Sequence, residues 1–281
     1  CKAKSDKRFK FDRLYRNLFN PDFYLQAYSK IYAKEGNMTK GTDDETIDGF
    51  GMKKVSEVIE LMKKEQYHFK PVRRVHIPKK DGSKRPLGIP NFYDKLVQEI
   101  SRSILEAIYE PRFSNSSHGF RPKRSCHTAL KQVKREWTGI KWVIEGDIKG
   151  FFDNINHEIL LNILNEQIHD GRFLELIRRM LKAGYMEDWT FHKTYSGTPQ
   201  GGIISPILAN IYLNKLDEFV EQVLIPKYET NKKKRKMNPT YNSINSRMVR
   251  LSKKIDGLEE NNPLRPQLLD EYQSLKIERR N

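Results

Sequence analysis

Lys141-Trp-Val-Ile-Glu-Gly-Asp147-Ile-Lys-Gly-Phe-Phe152-Asp153 is the stretch on which the reading of this 281-residue chain turns. An apolar run leads into an acidic residue, and two aromatics follow four and five positions later. Val143 and Ile144 favour a strand, and Gly146 lets another backbone or a ligand approach its end. Asp147 is then expected at the strand terminus, its carboxylate free to hold a divalent cation. Hard oxygen ligands of this kind bind Mg2+ together with substrate phosphates. Taken alone the pattern is weak, because aspartates at strand ends are common.

Its neighbours along the chain make it specific. Upstream stand Ile77-Pro-Lys79-Lys-Asp-Gly-Ser-Lys-Arg85-Pro-Leu-Gly-Ile-Pro90 and His118-Gly-Phe-Arg121-Pro122, and downstream Ser196-Gly-Thr-Pro-Gln200-Gly-Gly-Ile-Ile-Ser-Pro206. In this order and spacing the four blocks resemble the fingers and palm of a reverse transcriptase. Their wording (IPKKDGSKRPLGIP, HGFRPKRSCHTAL, DIKGFFDNI, SGTPQGGIISPILANIYL) is similar to the group II intron-encoded reverse transcriptases and maturases. The resemblance runs from about Asn20 to Phe219.

Composition points the same way by an independent route. The formal charge is +16 and the isoelectric point about 9.6. Such an excess suits a polyanionic partner, since each neutralised phosphate releases counterions. A merely basic soluble protein is the plainer alternative. Two cysteines, Cys1 and Cys126, allow no disulfide framework, which fits a reducing compartment. Without a long apolar run or a signal-peptide pattern, a cytoplasmic location and no membrane are expected. His118, Cys126 and His127 lack the paired spacing of a zinc site. No nucleophile elbow and no Walker-type loop occur.

The expected fold class is α+β, with a right-hand polymerase architecture of fingers and palm. Residues 1–19 form a basic leader whose aromatics could stack on nucleic acid or pack on the body. Residues 20–140 read as fingers, 141–226 as part of a palm, and 227–281 as a basic, partly helical or disordered insertion. That last stretch holds fourteen Lys or Arg against seven Asp or Glu. Helices are expected at 21–34, 52–65, 94–109, 157–168, 172–183, from Ser205 onward, at 243–260 and at 264–278. A hairpin over 73–90 should turn at Asp81-Gly82. The segment 36–49 reads as a loop.

The resemblance assigns roles residue by residue. It makes Asp147 the catalytic metal ligand, with the Ile148 backbone carbonyl as a further oxygen, in a two-metal Mg2+ site; Asp153 is the bystander. Phe152 becomes the steric gate under the incoming sugar, which implies deoxynucleotides. Lys79 and Arg85 become the triphosphate clamp, a task suited to an Arg that makes bidentate contacts. Gln200 and Gly201 contact the nucleotide, and Arg121 belongs to a segment that steadies the templating base and the fingers–palm junction. The loop at 36–49, with Lys40, lies over the template. The run Lys232, Lys233, Lys234, Arg235 and Lys236 grips RNA. Partners implied are group II intron RNA, an RNA template with a DNA primer, and a dNTP.

One part of the pattern is missing. In the family a Tyr-x-Asp-Asp hairpin follows the long helix and completes the metal site, and this sequence has none. Its one Asp-Asp, Asp43-Asp44, comes far too early. The expectation is therefore a fragment of a reverse transcriptase, truncated before that hairpin and inactive by itself, with a possible homodimer through exposed edges. The alternatives are a degenerate, non-catalytic splicing factor that binds intron RNA, and a simple RNA-binding module with no catalytic ancestry.

Overall fold

A computed structural model of the chain describes residues 6, 9–138, 140, 142–198, 201–228 and 238–279. The chain divides into two compact units, Cys1–Lys227 and Tyr228–Asn281.

The first unit grows around one helix. α1 (Pro21–Tyr32) starts with Pro21 where a missing N–H costs nothing, and the Asn20 side chain accepts from the Asp22 N–H at 2.9 Å. α2 (Met52–Lys63) buries Val55, Val58, Ile59 and Met62, a stripe at three-and-four spacing. The two strands β1 (Val72–Pro78) and β2 (Lys84–Ile89) pair antiparallel, with Ile77 opposite Arg85 and Arg73 opposite Ile89. α3 (Phe92–Tyr109) follows. It is buried almost all round: Leu96, Val97, Ile100 and Leu105 on the apolar side, but also Asp94, Lys95, Gln98, Glu99 and Ser101. Polar groups survive burial only with partners: Asp94, Lys95 and Gln98 each hold a different stretch of loop backbone, and Glu99 pairs with Arg102 and Lys30.

α4 (Cys126–Glu136) is closed at its start by a Ser125–Thr128 capping box, and none of its residues is buried. A single turn α5 (Phe151–Asn154) precedes α6 (His157–Asn165) and α7 (Gly171–Leu181). Asp170 caps α7 by accepting from the Arg172 and Phe173 N–H groups, and its other oxygen accepts from the Tyr15 N–H at 2.9 Å. That bond ties the leader to the body. Phe11 bridges to Ile168, and Tyr15 and Leu18 are buried, so residues 9–19 pack on the core. β3 (Tyr185–Glu187) and β4 (Thr190–His192) form a second small hairpin. It joins the first in one sheet of order β2-β1-β3-β4, with β1 and β3 parallel. α8 (Ser205–Phe219) closes the core with Ile207, Leu208 and Ile211.

The second unit is a helical hairpin of α9 (Pro239–Asp256) and α10 (Arg265–Glu278). Its small core contains Ile244, Met248, Leu251 and Leu275. Arg247 reaches Glu271 at 3.5 Å across the pair.

One expectation is overturned. Residues 142–148 form no strand, and Trp142 (88% exposed), Val143 (64%) and Ile144 (98%) stand in solvent. A strand exists by pairing with a neighbour, and the described four-stranded sheet lies elsewhere. Local preference was read correctly; the pairing partner is what fails.

Candidate active-site cleft

The floor of the cleft is a junction between two segments. Gly197 sits at φ +85°, the left-handed region that glycine tolerates. A Cβ there would lie 2.7 Å from the Phe152 carbonyl oxygen and 2.8 Å from the Asp153 Cα. Contact this close lets the Gly197 N–H donate to the Ile155 carbonyl at 2.7 Å and the Thr198 N–H to the Phe152 carbonyl at 2.8 Å. The Ser196 hydroxyl donates to the Asp153 carbonyl at 2.9 Å. Buried His157 hydrogen-bonds the Gly197 carbonyl through Nε2 at 2.7 Å, which makes Nε2 the protonated nitrogen. Phe152 is thereby stapled to Gly197 and Thr198.

Gly201 is equally constrained. It lies at φ +104°, and an added Cβ would be 2.6 Å from Leu87 Cδ1 and 2.8 Å from the Gly88 carbonyl. The next turn is held from the other side, where buried Gln98 on α3 accepts from the Ile203 N–H at 3.0 Å. The turn is thus wedged between the β1–β2 hairpin and the central helix.

These contacts bring together residues far apart in sequence. A cavity of about 750 Å3 is lined by Ile77, Arg85, Leu87, Phe120, Phe152 and Gly201, among others. Arg85 and Ile77 are register partners on one face of the hairpin. By strand alternation Lys79 continues that face just past the end of β1. The hairpin tip is ordered by Asp81, whose carboxylate accepts from the Ser83 N–H and hydroxyl, and these bonds hold its carboxyl below the ordinary range. Phe152 is half-buried and meets Phe151 edge-on, and Phe151 in turn meets Tyr212.

Other expected site residues fall elsewhere. Asp147 and Ile148 are exposed on the unpaired segment, and among the described residues no group of three His, Cys, Asp or Glu side chains could hold a metal ion. The donor set therefore does not fit a two-metal Mg2+ site. Arg121 is turned inward, only 7% exposed. Its guanidinium ion-pairs with Glu110 at 3.0 Å and donates to the Ser114 and Ser117 carbonyls at 2.6 and 2.8 Å. With its donors spent on protein it braces the 110–121 segment and has none left for RNA, which corrects its assignment as an RNA contact. Gln200 and the run Lys232–Lys236 lie outside the described residues.

The loop at 36–49 is clasped rather than loose. The Thr42 and Asp43 N–H groups donate to the Asn91 side-chain oxygen at 2.6 and 3.2 Å. Arg73 donates twice to the Lys40 carbonyl, at 3.1 and 2.8 Å, and Lys95 donates to the Thr39 carbonyl at 2.9 Å. Gly41 is obligatory, since a Cβ would fall 1.9 Å from the Asn91 oxygen. The Lys40 ammonium itself pairs with Asp44. Sequence reasoning missed two participants. Phe120 lines the cleft at 74% exposure with φ +55°, an uncommon backbone state for a bulky residue. Asn91 gave no signal beyond its place before a helix.

Residues 77–236 match the family model described as reverse transcriptase (RNA-dependent DNA polymerase). The chain belongs to that family. This reverse transcriptase chain is 52% identical over 250 residues to the group II intron-encoded protein LtrA of Lactococcus lactis subsp. cremoris, covering 89% of the chain and 41% of the relative. It is 43% identical over 228 residues to the putative COX1/OXI3 intron 2 protein of Saccharomyces cerevisiae, covering 80% of the chain and 27% of the relative. The chain therefore spans less than half the length of these curated relatives. Among solved structures, a partial Cas6-RT-Cas1--Cas2 complex superposes with a TM-score of 0.50 at 23% identity, over 74% of this chain and 35% of that one. That likeness concerns the fold.

Proposed function

We propose that this chain is the nucleotide-binding part of an RNA-directed DNA polymerase encoded by a group II intron, and that it also grips the intron RNA to assist splicing and retrohoming. The observation that carries the reading is the convergence of Arg85, Phe152 and Gly201 on one cavity of about 750 Å3. A cation for phosphates, an aromatic under the sugar and a close backbone turn are what a site selecting a deoxynucleoside triphosphate needs. The clasped loop at 39–43 offers a fixed ledge for a template, and the +16 charge supports a nucleic-acid partner.

Alone, the chain binds but does not polymerise. No Tyr-x-Asp-Asp occurs in the sequence, and Asp147 stands exposed and belongs to no group of three metal-binding side chains among the described residues. Nucleotidyl transfer asks a polymerase for a pair of closely held metals. In this reading metal ligation is completed by carboxylates other than those described.

The test is titration of the chain with a dNTP, comparing wild type with Arg85→Ala. A charge-assisted hydrogen bond contributes about 1.5–3 kcal/mol, so the variant should bind about ten- to a hundredfold more weakly. A chain that binds RNA yet shows no dNTP binding would support the non-catalytic splicing factor instead.

A further inference from the structure

The β1–β2 hairpin has two faces, and the cleft uses one. Arg85 and Leu87 line the cleft; Pro86 and Gly88, one residue out of phase, line a second open cavity of about 370 Å3 on the opposite side. Its other walls come from Arg74 on β1, Tyr185 on β3, and the segment Lys193-Thr-Tyr-Ser-Gly-Thr198. Nothing in the cleft chemistry employs this face.

Its lining has a definite character. The Arg74 guanidinium lies 3.4 Å above the Tyr185 ring, and His192 stacks with the same ring at 4.8 Å and 14°. Tyr195 is 83% exposed, an aromatic left in water at the mouth of a polar pocket. Lys193 is exposed and forms no ion pair among the described residues. Thr198 is 97% buried, yet its hydroxyl has no hydrogen-bond partner among the described residues. A buried hydroxyl without a partner is costly unless something supplies one.

The charge balance narrows the ligand. Glu187 lies 3.8 Å from Arg74, and Asp153 also lines the pocket. Arg74 and Lys193 are thus balanced by two carboxylates, which leaves no net positive charge to make the pocket a sink for free phosphate. What distinguishes it is aromatic surface beside one or two cations and unspent hydroxyl capacity. That combination suits a base stacked on a ring with its phosphate on a cation. A base within a duplex is already stacked and paired, so the base must come from a single strand.

We propose that this pocket holds one unpaired nucleotide of a single-stranded nucleic acid, stacked on Tyr195, whose ring is free where that of Tyr185 is covered on both faces by Arg74 and His192, with its backbone phosphate on Lys193 and Arg74. The pocket shares the 196–198 junction with the cleft floor but none of the residues that line the cleft cavity, and the assignment stands whether or not the cleft binds dNTPs.

Photocrosslinking of the full chain with a (rU)10 oligonucleotide carrying 4-thiouridine tests it, with crosslinked peptides mapped by mass spectrometry. A crosslink within residues 185–198 is expected, and K193A/Y195A should abolish it. Both side chains are exposed, so the double variant keeps its fold, and dNTP binding at the cleft should stay unchanged. Crosslinks confined to cleft residues such as Phe120, or a 185–198 crosslink that persists in the double variant, would overturn the proposal. An affinity for UMP equal to that for (rU)10, lost in the double variant, would make this a free-nucleotide site and overturn the strand assignment.

Discussion

Substituting Gly197 by alanine should loosen the junction beneath the cleft. The methyl group would meet backbone: the Phe152 and Asp153 carbonyl oxygens and the Asp153 Cα all lie 2.7–2.8 Å from its position. No flexible side chain can swing aside. A left-handed φ costs a non-glycine residue about 1–2 kcal/mol, and a forced backbone shift in a packed region about 1–3 kcal/mol more. The expected loss is therefore about 2–5 kcal/mol. Escape by detaching the turn is no cheaper, because it gives up the Gly197–Ile155 and Thr198–Phe152 backbone hydrogen bonds and leaves buried groups without partners. Urea unfolding followed by far-UV circular dichroism measures the difference. Gly49→Ala is the control, since no atom lies within 4 Å of its would-be Cβ and its φ is not positive; it should be within about 0.5 kcal/mol of wild type. A Gly197→Ala variant that loses less than about 1 kcal/mol would refute the argument that this turn is wedged against the Phe152 backbone.

Two further outcomes follow from α3. Burial pushes the Asp94 carboxyl up to about 7, against the opposing pull of hydrogen bonds from the Tyr67 hydroxyl and the Lys70 N–H. For an acid whose pKa rises on folding, the proton-linked stability is fully present below about 3.8 and is lost as pH rises through about 7. Asp94→Asn should remove that slope, so that it gains on wild type by up to roughly 4 kcal/mol between pH 4 and 8. A stability difference that stays constant across that range in urea melts would disprove the assignment. Asn91→Ala leaves the Thr42 and Asp43 N–H groups without their acceptor. Local opening should become about tenfold more frequent, read as faster tryptic cleavage after Lys40; an unchanged rate would mean that Arg73 and Lys95 hold the loop by themselves.

Much of the fold could be read from residue pattern because it depends on local signals. The hairpin at 72–89 was marked by alternation and by Asp81-Gly82, and α2, α3 and α8 by apolar stripes. The Arg85, Phe152 and Gly201 cluster was legible only through motif order, since no local rule brings residues 85, 152 and 201 to one cavity. The strand at Trp142–Asp147 failed because strand formation depends on a distant neighbour that local preference does not report. β3–β4, with three residues in each strand, was too short to show alternation. Arg121 misled because a basic residue in a motif is equally suited to phosphate or to a ring of carbonyls, and only the fold chooses.

The polar side of α3 has a consequence for how such a protein can change. Asn91 at its start fixes the ledge at 41–43, and Gln98 fixes the turn at 203. Seven residues of helix, about 10 Å, separate the two grips. Any substitution that shifts or rotates this rod displaces the clasped loop and the cleft-lining turn together. Changes at the two grips are therefore yoked: a lineage that alters one must carry, or promptly acquire, a compensating change at the other.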